Sequence, residues 1–433
     1  MFCASLRSRR EVLKICASVM SAVLSSVCRG GQGAPGLGLC SCDGDMLRSA
    51  DFPTIQMAID AAVQSGKTLV LEPEARVNQI TTSGRLRLIA RGRTICDHDG
   101  RNGPWFRLLP GAEYSELEFE EIDFGGHGTI GIQLDAGRCR VLIRRAHNMN
   151  GLPYADANRQ CAVLSQGDGN VIDVTADDFR LGSSDNGSVP RVVTTDRGSS
   201  RNLVRVKAYK TNTVWVENGE DNTADYVIAE AVTDNGIYNL SGSLRMRCNF
   251  LHYTNSKEEA FVLEGETPYI RKAIYDGWSY PGVQNCTGAV VDEILLLPPP
   301  DVARGGVGTC VLRSRDGNVR SDITIRLLSG DLYVGSKADI GAYLHFYVGN
   351  VDYCFGEQKL RVHYLPGSKA ENLVVHRHGS RVELGSTHIT FDDSLARPPR
   401  PLVWNYPAEA RFDSTVWRQE SKCYDYLVVR RGR

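Results

Sequence analysis

The sequence predicts an all-β solenoid of stacked parallel coils, and two observations lead to that prediction. From residue 85 onward, short β-rich runs alternate with Gly, Asn and Asp turns, and only one convincing amphipathic helix precedes them. The β-rich runs also come in pairs, whose second members recur at an irregular period of roughly 18 to 32 residues. A single pair leaves an apolar face unburied, so we expect the coils to stack around a shared interior.

The helix is predicted within the stretch Asp51–Pro73. Apolar residues at helical spacing, from Ile55 to Val63, form one stripe, and the helix ends at Gly66. The spacing then changes to that of an extended chain over Lys67–Leu71, which Pro73 terminates. The stretch therefore predicts a cap followed by the first strand of the solenoid, because a solenoid end exposes unpaired strand groups and an open core.

The strand pairs can be read directly from the sequence. Each consists of an apolar run, a turn rich in Gly, Asn or Asp, and a second apolar run. The predicted pairs are 131–134 with 140–143, 162–164 with 171–174, 192–193 with 203–206, 214–216 with 226–228, 237–240 with 244–246, and 261–263 with 269–270.

A family resemblance rests on the N-terminal stretch. An acidic residue, Ile55-Gln56, the run Ala58-Ile59-Asp60-Ala61-Ala62, Gly66, an apolar strand and Pro73 follow one another. This order resembles the start of right-handed parallel β-helices of the pectate-lyase-like superfamily, in which an amphipathic helix covers the open end. The resemblance implies a right-handed parallel β-helix with an N-terminal capping helix, and a protein that degrades or binds long carbohydrates. It carries over no catalytic residue.

Charge and length limit the classes of function. The 433 residues carry a formal net charge of −1, so no global field attracts nucleic acid or an anionic membrane. We therefore expect no nucleic-acid partner. A repeat architecture can absorb this length as one unit, which we place at residues 45–297, followed by final coils or a β-rich extension at 298–397 and a C-terminal tail or cap at 398–433.

The first 44 residues are predicted to be a signal peptide and linker. Arg9-Arg10 and Val12-Leu13-Lys14 resemble the twin-arginine export signal of bacteria, with Val12 where an aromatic residue is more usual. The apolar run Ile15–Val27 that follows is too short to span a bilayer. We expect export by the twin-arginine machinery to the periplasm or beyond, with no integral membrane segment after signal removal.

Thirteen cysteines are present, an odd number, and three of them belong to the predicted signal. Many of the others lie among strand residues, for example Cys139, Cys161, Cys248 and Cys310. One interpretation is that they are buried thiols that act as small apolar groups. The alternative is that cysteines on adjacent coils form disulfides in an oxidising periplasm.

Two reactions are open on such a fold. A lyase abstracts the C5 proton of a uronic acid, which requires a Lys, Arg, His or Tyr base and a cation that neutralises the carboxylate. A hydrolase requires two carboxyl groups about 5 to 9.5 Å apart across the glycosidic bond. The sequence slightly favours β-elimination on an acidic polysaccharide. A non-catalytic carbohydrate binder, similar to a phage tailspike, is the third hypothesis.

The candidate catalytic residues come from the most polar region, residues 173–259. Asp178 and Lys210 follow strands of successive coils, Asp234 and Tyr238 flank an Asn-Gly turn, and His252 lies in an apparent insertion. If the coils stack regularly, we expect these side chains to line one face. Each also has a structural interpretation, because turn acids, Asn-Gly turns and a histidine beside aromatic residues are common without catalysis.

Substrate binding is assigned to Trp215, Lys257 and Glu258. Trp215 is predicted to stack on a sugar face, although one aromatic residue per coil is also typical of a solenoid core. Lys257 and Glu258 follow His252 and are predicted to contact an acidic substrate. No metal ligands are assigned and calcium is left open as a cofactor, because scattered acids become ligands only where coils bring them together.

Overall fold

The computed structural model describes residues 45–98, 103–151, 160–180, 190–256, 259–276, 280–283, 285–298, 313–314, 321–334, 344–345, 351–364, 374–375, 381–384, 387–391, 414–420 and 423–429. Within these residues the chain forms stacked parallel strands in two long sheets. The molecule is therefore a parallel β-helix, which confirms the all-β solenoid predicted from the sequence.

Two sheets form the walls of the solenoid. Sheet A contains β1 (Met46–Arg48), β2 (Thr68–Leu71), β3 (Ala75–Val77), β5 (Arg87–Cys96), β7 (Glu116–Asp123), β9 (Arg140–Asn150), β11 (Val171–Arg180), β13 (Leu203–Tyr209), β15 (Thr223–Glu230), β17 (Arg247–Cys248), β18 (Leu251–Thr254), β20 (Tyr269–Asp276), β22 (Ala289–Leu297), β24 (Ser321–Val334), β26 (Val351–Tyr364), β28 (Arg381–Leu384), β29 (Thr387–Phe391), β30 (Ser414–Glu420) and β31 (Cys423–Val429).

Sheet B contains β4 (Ile80–Thr82), β6 (Phe106–Leu108), β8 (Ile130–Leu134), β10 (Cys161–Ser165), β12 (Arg191–Thr195), β14 (Trp215–Glu217), β16 (Ile237–Asn239), β19 (Glu259–Leu263), β21 (Tyr280–Val283) and β23 (Arg313–Ser314). A two-stranded sheet pairs β25 (Leu344–His345) with β27 (Val374–Val375). In the middle of the solenoid, each coil gives one strand to sheet B and then a longer strand to sheet A.

The predicted helix is present as α1 (Ile55–Ser65). The Thr54 side chain accepts a hydrogen bond from the helix backbone at 3.2 Å, and Gly66 ends the helix in the left-handed conformation with φ 69°. Its buried face, which includes Ala58 and Ile59, packs against the first strands of both sheets. The sequence prediction of a capping helix is confirmed.

Most predicted strand pairs correspond to a strand of sheet B followed by a strand of sheet A. The exception is the run 244–246, which was expected to be a strand. In the structure Arg245 has φ 55° and belongs to the turn, and the sheet A strand of this coil begins at Arg247 and is interrupted between β17 and β18. That part of the prediction is wrong, because an apolar run does not reveal where a left-handed residue ends a turn.

The interior is a row of stacked apolar side chains. Val163, Val193, Trp215, Ile237 and Phe261 lie opposite one another in consecutive strands of sheet B, and each is fully buried. Burial of each side chain of this size contributes roughly 1.5–3 kcal/mol to folding. The stack therefore provides the continuous core that separate strand pairs would lack.

An asparagine ladder connects the turns that lead from sheet B into sheet A. The backbone N–H of Cys139 donates to Oδ1 of Asn170 at 2.8 Å, the N–H of Asn170 donates to Asn202 at 2.7 Å, and that of Asn202 donates to Asn222 at 2.8 Å. All four residues are buried. Since no water reaches these backbone donors, the side-chain amides of the next coil satisfy them.

The ladder ends on a buried carboxyl group. Asn222 Nδ2 donates to Glu217 Oε1 at 3.0 Å, and the same carboxyl group accepts from Thr195, from Ser243 at 3.4 Å and from the backbone N–H of Gly219 at 2.8 Å. Burial raises the pKa of Glu217 to about 7, although these hydrogen bonds favour the ionised form. Glu217 therefore titrates near neutral pH.

Cys96, Cys139, Cys248 and Cys286 are buried free thiols. Burial raises the pKa of Cys96 and Cys248 to about 12 and that of Cys139 to about 11, so these three are protonated, unreactive core groups. Cys354 is exposed. The interpretation as buried thiols therefore holds for Cys96, Cys139, Cys248 and Cys286 but not for Cys354.

The later chain continues sheet A. Strands β24 and β26 pair in parallel with each other, and β24 pairs with β22, so the stacking runs on past Leu297. The last described strand reverses direction: β31 pairs antiparallel with both β29 and β30. Nowhere in the described residues is a helix long and apolar enough to cross a membrane.

We expect Asn202→Ala to destabilise the protein by about 1–3 kcal/mol, because the N–H of Asn170 would lose its buried acceptor. The measurement is the denaturant-unfolding free energy, and the control is Ser200→Ala, two residues earlier in the same turn. Equal stability of the two variants would contradict the role assigned to the ladder.

We expect the stability of the protein to fall as the pH rises from about 4.5, the ordinary pKa of a glutamic acid, to about 7. The folded protein holds the Glu217 proton more tightly than the unfolded chain does, so protonation favours the folded state below this range and this contribution is lost above it. The change reaches up to about 3 kcal/mol. The free energy of unfolding of Glu217→Gln, measured at both pH values, should lack this pH-dependent contribution. The exposed control Glu220→Gln should retain it.

Candidate functional site

The outward face of sheet A carries a row of polar side chains near the ends of its strands. Asp123, His147, Asp177, Tyr209 and Glu230 lie opposite one another in consecutive strands from β7 to β15. Their spacing along the solenoid axis is that of neighbouring strands, about 4.8 Å. Alternate residues such as Ala176 and Ala208 point into the core, so the row faces outward.

At one end of the row, opposite charges compensate each other. Arg145 pairs with Asp177 at 2.9 Å and with Glu121 at 3.7 Å, and His147 Nε2 lies 3.0 Å from Glu121 Oε1. Burial would raise the pKa of Asp123, but hydrogen bonds from the Gly125 N–H and a neighbouring asparagine lower it overall. The Arg145 guanidinium of this end is already engaged by protein carboxylates.

The middle of the row is different, because its cations face aromatic rings. Tyr209 exposes 44 % of its surface, and the Lys210 ammonium lies 5.0 Å from its ring centroid. Two residues earlier, the Lys207 ammonium lies 5.6 Å from the ring of Tyr226. Among the described residues neither lysine forms an ion pair with a carboxylate. We name Lys207, Tyr209 and Lys210 the lysine–tyrosine platform.

Asp178 and Lys210 are neighbours at the edge of the platform. They follow the paired residues Asp177 and Tyr209, and both have left-handed backbones, with φ 55° and 51°. Asp178 receives two hydrogen bonds from Arg180, each 2.7 Å long. The two predicted catalytic residues are therefore adjacent, but the carboxylate is engaged by an arginine.

His252 lies on the same outward face, two strands beyond Lys207. Lys207 lies opposite Ile228, and Ile228 lies opposite His252 in the next strand. On its other side, His252 lies opposite Ile274. The imidazole packs against Phe250, with ring centroids 6.3 Å apart. Burial lowers the pKa of His252 below its ordinary value, so the ring is neutral at neutral pH.

The other predicted residues belong to the sheet B side of the molecule. Asp234 accepts hydrogen bonds from Thr213 at 2.6 Å and from Asn235 at 2.8 Å, and the Tyr238 hydroxyl donates to Glu264 at 3.2 Å. The expected single line is thus divided: Asp178, Lys210 and His252 lie on sheet A, whereas Asp234 and Tyr238 lie on or beside sheet B. The line is not continuous because Asp234 begins the turn of the chain into sheet B.

The stacking role expected for Trp215 is wrong. Its side chain is fully buried in the core row, and its indole N–H donates to Thr195 Oγ1 at 3.0 Å. A large apolar ring with a satisfied N–H is stable in the interior and offers no face to a sugar. Lys257 and Glu258, the other predicted binding residues, lie outside the described residues.

Sequence reasoning missed Tyr209. The signal was available, because Val204, Val206 and Ala208 alternate as buried residues along β13 and thereby place Tyr209 on the outward face. In the described part of the chain, no group of three His, Cys, Asp or Glu side chains has the arrangement of a metal site. The stretch of sheet A from Asp123 to His252 is the candidate site.

Comparison with known proteins adds no assignment: no protein family, no curated protein and no solved structure matches this chain.

Proposed function

We propose that this protein is an exported enzyme that binds an acidic polysaccharide along the outward face of sheet A and cleaves it by β-elimination. The observation that carries the proposal is the lysine–tyrosine platform. Its exposed ring suits the face of a sugar, and its two lysines lack carboxylate partners among the described residues. A uronate ring would provide both the apolar face and the anion that the platform lacks.

The reaction requires a base and a neutralised carboxylate. We assign Lys207 and Lys210 to the uronate carboxylate, whose charge must be neutralised before the C5 proton becomes acidic enough to remove. We assign the base to His252, which burial keeps neutral and therefore able to accept a proton. The backbones of Lys207 and His252 are two strand spacings apart, roughly 9.6 Å, with the Ile228 side chain between them, so a sugar ring would lie over Ile228 and reach both residues.

A hydrolase is the second candidate, and the arrangement around Tyr209 favours it. Asp177 and Glu230 lie on either side of Tyr209 in register, so their backbones are also separated by two strand spacings, roughly 9.6 Å. Inverting glycosidases hold their two carboxyl groups about 6.5 to 9.5 Å apart, a separation that side chains on these two backbones can adopt. Asp177 is engaged by Arg145 at 2.9 Å, which makes it less suited to act as a proton donor.

The wider context of the proposal comes from the sequence. The twin-arginine-like segment supports export to the periplasm or outside the cell, and the resemblance to the pectate-lyase-like superfamily supports a carbohydrate polymer as substrate. The parallel β-helix agrees with that resemblance at the level of fold alone. Its stacked coils give a long face that suits a polymer.

We expect Tyr209→Ala to raise KM by about two- to tenfold, because a stacking contact is lost, and Lys210→Gln to lower kcat/KM further, because a charge contact is lost. The assay follows the ultraviolet absorbance of unsaturated product from pectate, alginate and glucuronan. The matched control is Tyr269→Ala, since Tyr269 also lies under a cation, Arg247, elsewhere on sheet A. New reducing ends without that absorbance would favour the hydrolase. The absence of turnover on every polymer would contradict both enzyme hypotheses.

We expect kcat to fall on the acid side through a pKa below about 6.5, the ordinary value of histidine, because the neutral form of His252 persists into mild acid. His252→Gln should abolish turnover while binding to the polymer and the melting temperature stay unchanged. A fully active His252→Gln variant would exclude His252 as the base.

A further inference from the structure

A separate polar cleft lies at the turns that lead from sheet B into sheet A. Its volume is about 600 Å³, and its polar lining comes from Glu113, Asp135, Arg138, Gln166, Asp168 and Arg201. Asp168 precedes β11, whereas the row that contains Asp177 lies near the end of that strand. The cleft and the lysine–tyrosine platform are therefore separated by up to about 30 Å along the strand.

The cleft owes its shape to a column of left-handed residues. Tyr114, Arg138, Gly169 and Arg201 occupy the same position in the turns of successive coils, with φ between 56° and 68°. Three of the four carry long side chains, so the backbone conformation at this position does not require glycine. An added Cβ at Gly169 would lie 3.7 Å from Arg138, an ordinary contact. A larger residue would therefore fit at this position, and the gap that Gly169 leaves between Arg138 and Arg201 is not required by the backbone.

An exposed aromatic ring lies one coil beyond Arg138, on the side away from Gly169. Tyr114 exposes 49 % of its surface, its hydroxyl accepts a hydrogen bond from Arg138, and the Arg138 guanidinium carbon lies 5.6 Å from its ring centroid. The ring thus fixes the arginine at the wall of the cleft. It also leaves apolar surface accessible beside the arginine.

The polar groups of the cleft alternate between donors and acceptors. Arg138, Arg201 and Gln166 supply N–H donors, whereas Asp135, Asp168 and Glu113 supply carboxylate acceptors. With Arg107, which pairs with Asp135 at 2.7 Å, there are three cations, and these balance the three carboxylates, so no net charge favours an ionic ligand. A sugar hydroxyl is both donor and acceptor, so a neutral saccharide uses both kinds of group at once.

We propose that this cleft is a second saccharide-binding site, selective for neutral sugars, in which a ring occupies the gap at Gly169 between Arg138 and Arg201. The proposal uses none of the residues assigned to cleavage. The protein would then hold two chemically different carbohydrates, an acidic one along sheet A and a neutral one at the turns.

The test is binding of cellohexaose, xylohexaose, mannohexaose and maltohexaose to the full-length protein, measured by saturation-transfer NMR and calorimetry, with hexagalacturonate as the acidic counterpart. We expect at least one neutral hexasaccharide to bind. Gly169→Asn should weaken its binding at least about tenfold, because asparagine tolerates this backbone conformation and fills the gap. Tyr114→Ala should weaken it as well, because Arg138 loses the hydroxyl acceptor and the ring that hold it at the wall of the cleft.

The matched control is Asp221→Asn, which places an asparagine at the same left-handed position two coils further on, outside the cleft, with φ 55° in the native chain. Its binding should equal that of the wild type. The proposal is overturned if no neutral hexasaccharide binds the wild type, if binding survives both Gly169→Asn and Tyr114→Ala, or if hexagalacturonate is the ligand that Gly169→Asn displaces. These outcomes are independent of uronate cleavage, so they separate this site from the proposed enzyme activity.

Discussion

The structure depends on satisfying buried backbone donors along the axis of the solenoid. Where sheet B turns into sheet A, the chain leaves one ladder and has not yet joined the next, and Asn170, Asn202 and Asn222 bridge that interval from coil to coil. Their amides fix the coil spacing at the turn, and the spacing in turn fixes which side chains meet on both faces. The ladder ends on Glu217, whose burial couples this arrangement to pH.

Both proposed sites depend on this alignment of successive coils. In register, Tyr209 lies between Asp177 and Glu230, and the left-handed turn column brings Arg138 and Arg201 to either side of Gly169. Among the described residues, neither arrangement uses a loop that folds over the surface. Each face is a product of strand alternation and coil stacking, so the interior that stabilises the protein also orders the groups that would bind its ligands.

The sequence was sufficient for the fold and insufficient for the site. Strand alternation and the stripe from Ile55 to Val63 are local patterns, and they identified the solenoid and its cap. The line through Asp178, Lys210, Asp234 and His252 failed in part because the position of each corner depends on left-handed residues such as Arg245, which have no strong sequence signature when they are not glycine. The stacking role predicted for Trp215 was wrong for another reason. A large aromatic residue suits either a core or a sugar-binding site, and only its burial in the structure distinguishes the two.

The two ends of the described solenoid differ. Helix α1 covers the first coil, and at the other end the antiparallel pairing of β31 with β29 ends the parallel series. The reversed strand has both edges occupied, because β31 also pairs with β30. β30 is antiparallel to β31 and therefore runs in the same direction as the parallel strands. Among the described strands, the free edges at this end of sheet A belong to β28 and β30, so an added strand would have to pair there.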